Sequence, residues 1–191
     1  MSFDVNGIMC NFALQSVIFN MFKRIKYIQL TVLILFLTGC AHEYNQVYKS
    51  SDYNYRYEFA KECFANGKYS FAVPLLQDLV TIKKGTADAQ ECLYMLAMAE
   101  YGMKDYEAAA ETFKKYYQSY PRGYYAEMAS FYVGQSLYMS TPEPRLDQNQ
   151  TVAAIAAFQE YRDLFPDGKL KGTAEERLME LQDKLVTKEY L

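Results

Sequence analysis

Few side chains in this 191-residue sequence could do covalent or proton-transfer chemistry. There is a single histidine, His42, and there are four cysteines, Cys10, Cys40, Cys63 and Cys92. His42 has no companion at metal-ligand spacing and reads as a solvated side chain. Glu175 and Glu176 are adjacent, so on a helix they point in two directions. Near a helix start they favour the dipole and do not form an acid/base pair. No phosphate loop, metal cluster or nucleophile–base set can be recognised, so the sequence predicts no enzyme, no catalytic residue and no metal site. The remaining chemistry is on sulfur, and Cys40 is its best candidate.

Cys40 follows a patterned segment. Lys23, Arg24 and Lys26 form a basic stretch, and Tyr27 to Leu37 form a largely apolar run. That run is short against the roughly 20 apolar residues needed to cross a bilayer core as a helix, and it suits the apolar region of a signal peptide. Leu37-Thr38-Gly39-Cys40 then resembles the bacterial lipobox. That resemblance implies a thioether from the Cys40 sulfur to diacylglycerol, cleavage before Cys40 and an N-acyl chain on the new terminus. Several acyl chains are what stable attachment requires. Residues 1–20 fit no signal-peptide plan and read as an upstream extension, with Met21 as the expected start. The expected order is extension 1–20, signal peptide 21–39, lipidated tether 40–52 and a folded domain 53–191. Losing Asp4, Lys23, Arg24 and Lys26 takes the formal net charge from −3 to −5. With a sequence pI near 5.3, nucleic acid is a poor candidate partner. The 19 Tyr and 12 Phe argue against disorder and for a substantial core.

The folded part repeats. Phe113-x-x-Tyr116-x-x-x-Tyr120-Pro121-x-Gly123 recurs after 45 residues as Phe158-x-x-Tyr161-x-x-x-Phe165-Pro166-x-Gly168. Ala109 and Ala154 each lie four residues before the Phe. Tyr69-x-x-Ala72-x-x-x-Leu76-x-x-Leu79 is a degenerate copy displaced by 37 residues. Spacings of three and four mark one helical face, and the proline stops the helix. Ahead of each such helix lies another: Phe59, Ala60 and Cys63 mark the first, Leu93, Leu96 and Ala97 the second, and Val133, Gly134 and Leu137 the third. Turns at Asn66-Gly67-Lys68 and Gly102-Met103-Lys104-Asp105 separate members of the first two pairs. The predicted unit is a repeated helical hairpin, and the predicted fold is all-α.

This pattern resembles tetratricopeptide repeats over about 53–191, with repeats near 53–86, 90–123 and 127–168 and a partial one at 172–191. Arg56 and Glu100 depart from it, at first-helix positions that are usually apolar or aromatic. The third repeat carries an insertion, Met139 to Gln150, whose Pro142 and Pro144 disfavour helix, with Thr151 as a candidate cap for the next helix. The lipobox, the hairpins and this insertion (Leu146-Asp147-Gln148 through Thr151, Phe158 and Phe165-Pro166) together resemble the outer-membrane assembly lipoprotein family known as BamD, especially its Bacteroidetes-like forms. Members of that family usually run longer. The last helix, Thr173 to about Tyr190 with Leu178, Leu181 and Leu185 on one stripe, therefore reads as lacking its mate. Truncation is the preferred reading, and a capping or docking helix is the alternative.

In such repeats the first helices line the ligand surface. Register places Tyr57, Lys61 and Phe64, then Tyr94, Met98 and Tyr101, then Phe131, Gln135 and Tyr138 at equivalent positions. The i, i+4, i+7 spacing puts each trio on one face, making two aromatic rows with an adaptable row between. Such rows suit an extended apolar or aromatic peptide, and packing in the core is the competing reading. The resemblance implies a lipid-anchored scaffold on the periplasmic face of the outer membrane. Its implied partners are the barrel insertase, other assembly-machine lipoproteins and unfolded barrel precursors, with no cofactor beyond the lipid on Cys40. Ala41, in place of Asp, agrees with outer-membrane sorting. A repeat lipoprotein of cell division or polysaccharide export is the alternative, and a peptidoglycan-cleaving enzyme a weaker one. Cys63 and Cys92 fall about two helical turns apart along neighbouring helices, too far for a disulfide, and are expected as buried thiols.

Overall fold

The computed structural model describes residues 23–27, 29 and 44–190. The chain divides into two compact units, residues 1–49 and 50–191. In the first, residues 23–27 and 44–48 are helical, and Tyr44 stacks on Tyr48 with ring centroids 5.8 Å apart. The expected extension, most of the signal peptide, Cys40 and His42 lie outside the described residues.

The second unit is all helical among its described residues. Its helices are α1 (Tyr53–Ala65), α2 (Tyr69–Ile82), α3 (Ala89–Gly102), α4 (Tyr106–Ser119), α5 (Ala126–Met139), α6 (Asn149–Leu164) and α7 (Lys171–Glu189). Each packs on the helix before and the helix after it, and α7 also touches α5. This is the expected all-α stack of antiparallel hairpins, α1–α2, α3–α4 and α5–α6, with α7 opening a fourth unit.

Local chemistry sets the hairpin ends. The Asp52 carboxylate caps α1 by accepting the Asn54 and Tyr55 N–H groups, and Asp105 caps α4 by accepting that of Ala108. Gly67 turns the chain between α1 and α2 at φ 69°, and Lys104, 37 residues on, makes the same turn at φ 65°. Only the first is a residue to which that conformation comes free of steric cost.

The apolar stripes meet as the periods require. Ala60 and Ala97 are fully buried, and at the third equivalent position a Cβ on Gly134 would lie 2.8 Å from the Phe158 ring. The phenylalanines of the recurring motif, Phe113 and Phe158, centre two core clusters. The motif's tyrosines do more than fill space. The buried Tyr116 hydroxyl accepts the Tyr125 N–H at 3.2 Å and donates to Gln90 Oε1 at 3.4 Å. Tyr161 accepts the Leu170 N–H at 3.2 Å and donates to Glu127 Oε1 at 3.2 Å. α4 and α6 thus each clasp the start of the next first helix. A Cβ on Gly123 or Gly168 would fall 2.7 or 2.5 Å from the respective tyrosine oxygen, so the hydroxyls need glycine there.

The departures from the repeat are accommodated by polar contacts. Buried Arg56 places Nη2 2.7 Å from Asp78 Oδ2. Lys83, where the next repeats carry Tyr120 and Phe165, is buried and pairs with Asp88 at 2.6 Å. Glu100 is buried with Oε2 lacking a hydrogen-bond partner, and burial pushes its carboxyl above the usual range.

Two boundary expectations are corrected. Thr151 does not cap α6, because the helix starts at Asn149 and the buried Thr151 lies within its first turn. Its hydroxyl instead donates to Gln148 Oε1 at 2.6 Å, and Gln148 Nε2 donates to the Glu143 and Leu146 carbonyls, pinning the insertion. The last helix starts at Lys171, not Thr173, so exposed Glu175 and Glu176 fall beyond the first turn, where the dipole has faded. Leu178 and Leu181 are buried on α6, and Leu185 is half-buried.

Candidate functional site

The three trios lie on the first helices of successive hairpins: Tyr57, Lys61 and Phe64 on α1, Tyr94, Met98 and Tyr101 on α3, and Phe131, Gln135 and Tyr138 on α5. Tyr57 and Phe131 are each only 5% exposed, and the other seven side chains are half-buried.

Each trio leans on the following first helix or its entry. The Tyr57 hydroxyl donates to Glu91 Oε2 on α3 at 2.7 Å, and the Lys83 ammonium lies 4.5 Å from its ring centroid. Burial, then the bond to Glu91, pushes the Tyr57 hydroxyl well above its ordinary pKa. Lys61 sits 5.1 Å from the same ring, and Phe64 tilts against Tyr69 at 5.8 Å. Tyr94 stacks on Tyr125 at 4.1 Å, nearly parallel, and burial raises its hydroxyl to about 12. Tyr101 meets Tyr132 of α5 edge-on at 5.4 Å, and Met98 packs against the same cluster. Phe131 packs into the Phe158–Tyr161 cluster. Tyr138 donates to Glu180 Oε2 of α7 at 2.6 Å, with the Arg177 guanidinium 4.9 Å from its ring centroid. Gln135 Oε1 has no hydrogen-bond partner.

The rings of α3 and α5 therefore form an aromatic seam, running from Tyr94 through Phe113 and Tyr132 to Tyr101 and Phe131, with the charged contacts of Tyr57 and Tyr138 at its two ends. Sequence reasoning missed Tyr125 and Tyr132, which complete the seam. Tyr132 touches Tyr101, Phe113 and Phe131, yet it lies one residue off the i, i+4, i+7 stripe. Glu91 and Glu180 were missed as well: Glu91 lies off the trio stripe, and Glu180 stands 45 residues after Gln135, at the middle trio position of the partial fourth repeat.

This arrangement presents contact area and aromatic edges. Cys63 and Cys92 are buried thiols, and burial raises Cys92 to about 12, which keeps it neutral and inert near pH 7. Among the described residues no group of three His, Cys, Asp or Glu side chains could hold a metal, and no helix is long and apolar enough to cross a membrane.

No curated protein matches the chain. A family model does, from residue 49 through 191, and so covers every helix of the stack, the insertion and the three trios. Its members are outer membrane lipoproteins and not an enzyme family. With most of its length matched by that model, this chain belongs to the YfiO family of outer membrane lipoproteins.

Proposed function

We propose that the protein is a lipid-anchored scaffold of outer-membrane β-barrel assembly, facing the periplasm and carrying its lipid on Cys40. It holds the barrel insertase and other assembly lipoproteins and receives unfolded barrel precursors along the first-helix seam. The observation that carries this reading is the family match over the whole helical stack. The seam supports it: seven of nine trio side chains keep part of their surface open, and aromatic rings offer wide contact at low rotamer cost. In this reading Tyr57 and Phe131 brace the seam from beneath, and Phe64, Tyr94, Met98, Tyr101, Gln135 and Tyr138 meet the peptide, with Lys61 at one margin. Ordering an extended precursor costs entropy, so binding is moderate and reversible.

Affinity capture from detergent-solubilised membranes of the native host tests the assignment. Recovery of a barrel insertase supports it. Recovery of division or export machinery without an insertase overturns it in favour of another envelope adaptor. Tyr94→Ala with Tyr101→Ala is expected to cut photo-crosslinking to a barrel precursor several-fold while insertase recovery holds. Unchanged crosslinking would assign the rings to packing. Mass spectrometry of the mature amino terminus tests the lipid on Cys40.

A further inference from the structure

The second helices carry a feature that the seam does not use. Between α4 and α6 runs a groove of about 540 Å³, floored by Ser130, Val133 and Leu137 of α5. Its α4 wall runs from Ala110 to Gln118, about 12 Å at roughly 1.5 Å per residue, and Pro121 extends it just past the helix end. Its α6 wall is largely alanine: Ala153, Ala156 and Ala157. The walls are parallel and tied at both ends. Gln150 Nε2 donates to Glu107 Oε1 at 3.2 Å where both helices begin, and Tyr117 meets Phe165 edge-on where both end.

The groove has a cause in the repeat. Ser130 stands where the preceding repeat has the buried Leu93, so the third repeat removes bulk from its floor. Ser130 is 6% exposed and lines the groove.

Two observations specify the occupant. A helix satisfies its own backbone hydrogen bonds and needs none from the helical walls. Alanine walls also allow a close interaxial approach. The exposed rims carry Glu111 and Glu160 on opposite walls against the single Lys114, and none of the three is in an ion pair. That imbalance favours a cationic partner.

We propose that this groove seats a basic amphipathic helix of about three turns from a partner protein, its small apolar face on the alanines and its cationic flanks against Glu111 and Glu160. The site lies on other helices than the aromatic trios, apart from α5, and does not depend on the seam's reading.

The test uses the full chain in detergent and three labelled synthetic peptides of about 14 residues. One is a Leu/Ala helix with Lys flanks, one has Glu flanks, and one is a Lys-flanked scramble without an apolar face. Fluorescence anisotropy is expected to show the Lys-flanked helix binding at least tenfold more tightly than either control. Ala156→Arg, at an exposed position where folding is undisturbed, is expected to weaken it at least tenfold. Glu111→Lys with Glu160→Lys is expected to transfer the preference to the Glu-flanked helix. Equal binding of all three peptides, or affinity indifferent to these substitutions, would overturn the proposal. So would sedimentation showing a dimer of this chain that Ala156→Arg dissolves, since a second copy would then be the occupant. A failed insertase capture would leave these outcomes untouched.

Discussion

The Tyr161 phenol accepts the Leu170 backbone N–H at 3.2 Å across an interval of nine residues, and Tyr116 holds Tyr125 in the same way over the same interval. These two junctions between hairpins are thus held by a part-buried hydrogen bond as well as by apolar packing. Tyr161→Phe keeps the ring and deletes the acceptor, leaving a poorly solvated N–H. A loss of about 1–2 kcal/mol is expected, read as a lower urea midpoint at unchanged slope. Tyr116→Phe should cost a similar amount, and the two should add, since they act at separate junctions.

Gly134→Ala probes the closest helix approach. The added Cβ would stand 2.8 Å from the Phe158 ring, which is fully buried and cannot retreat without disturbing its cluster. Overpacking of this kind costs about 1–3 kcal/mol, to be read by thermal unfolding. Adding Phe158→Leu should recover part of that loss.

Lys104 offers a stabilising change. Its φ of 65° is the value Gly67 adopts in the first hairpin, and a β-carbon there carries a steric penalty of about 1 kcal/mol. Lys104→Gly is expected to raise the melting temperature by a few degrees, whereas Gly67→Lys should lower it.

Glu100 makes stability depend on pH. Burial raises its folded pKa, reinforced by Asp105 and opposed by Thr112, Gln77 and Lys115. The native state therefore binds this proton more tightly than the unfolded chain does. Through this group, stability is greatest below the unfolded pKa and falls as pH rises through the folded value. Glu100→Gln should accordingly raise the denaturation midpoint at pH 7.5 and have little effect near pH 4. Taking the difference between variant and parent at each pH removes the other carboxylates. A constant difference across the range would show that Glu100 does not carry the effect.

Much of the fold was legible because it depends on periodicity. Three- and four-residue spacings, the small residue at Ala60, Ala97 and Gly134, and the closing prolines each constrain helices regardless of context. Helix starts were less legible. Thr151 has the chemistry of a cap, yet its place is decided by burial against Gln148, a contact that depends on the folded insertion. The trios were placed on their helices by register, but register does not distinguish a ring shared between neighbouring hairpins from one facing solvent. Tyr57, Tyr94 and Phe131 stand at the same repeat position, yet Tyr57 and Phe131 are buried and Tyr94 is half-buried. The groove was invisible for a related reason. Ser130 looks unremarkable until the bulk missing beside it is seen between two helices distant in sequence.

The insertion at residues 140–148 lengthens the third repeat by eight residues relative to the second, yet the junction that follows keeps its nine-residue interval. Slack in this chain is thus allowed where it doubles back within a unit and forbidden where one unit hands over to the next. Material spliced into the 140–148 turn would leave the pitch of the stack alone, whereas one residue gained or lost between Tyr161 and Leu170 would shear everything downstream out of line.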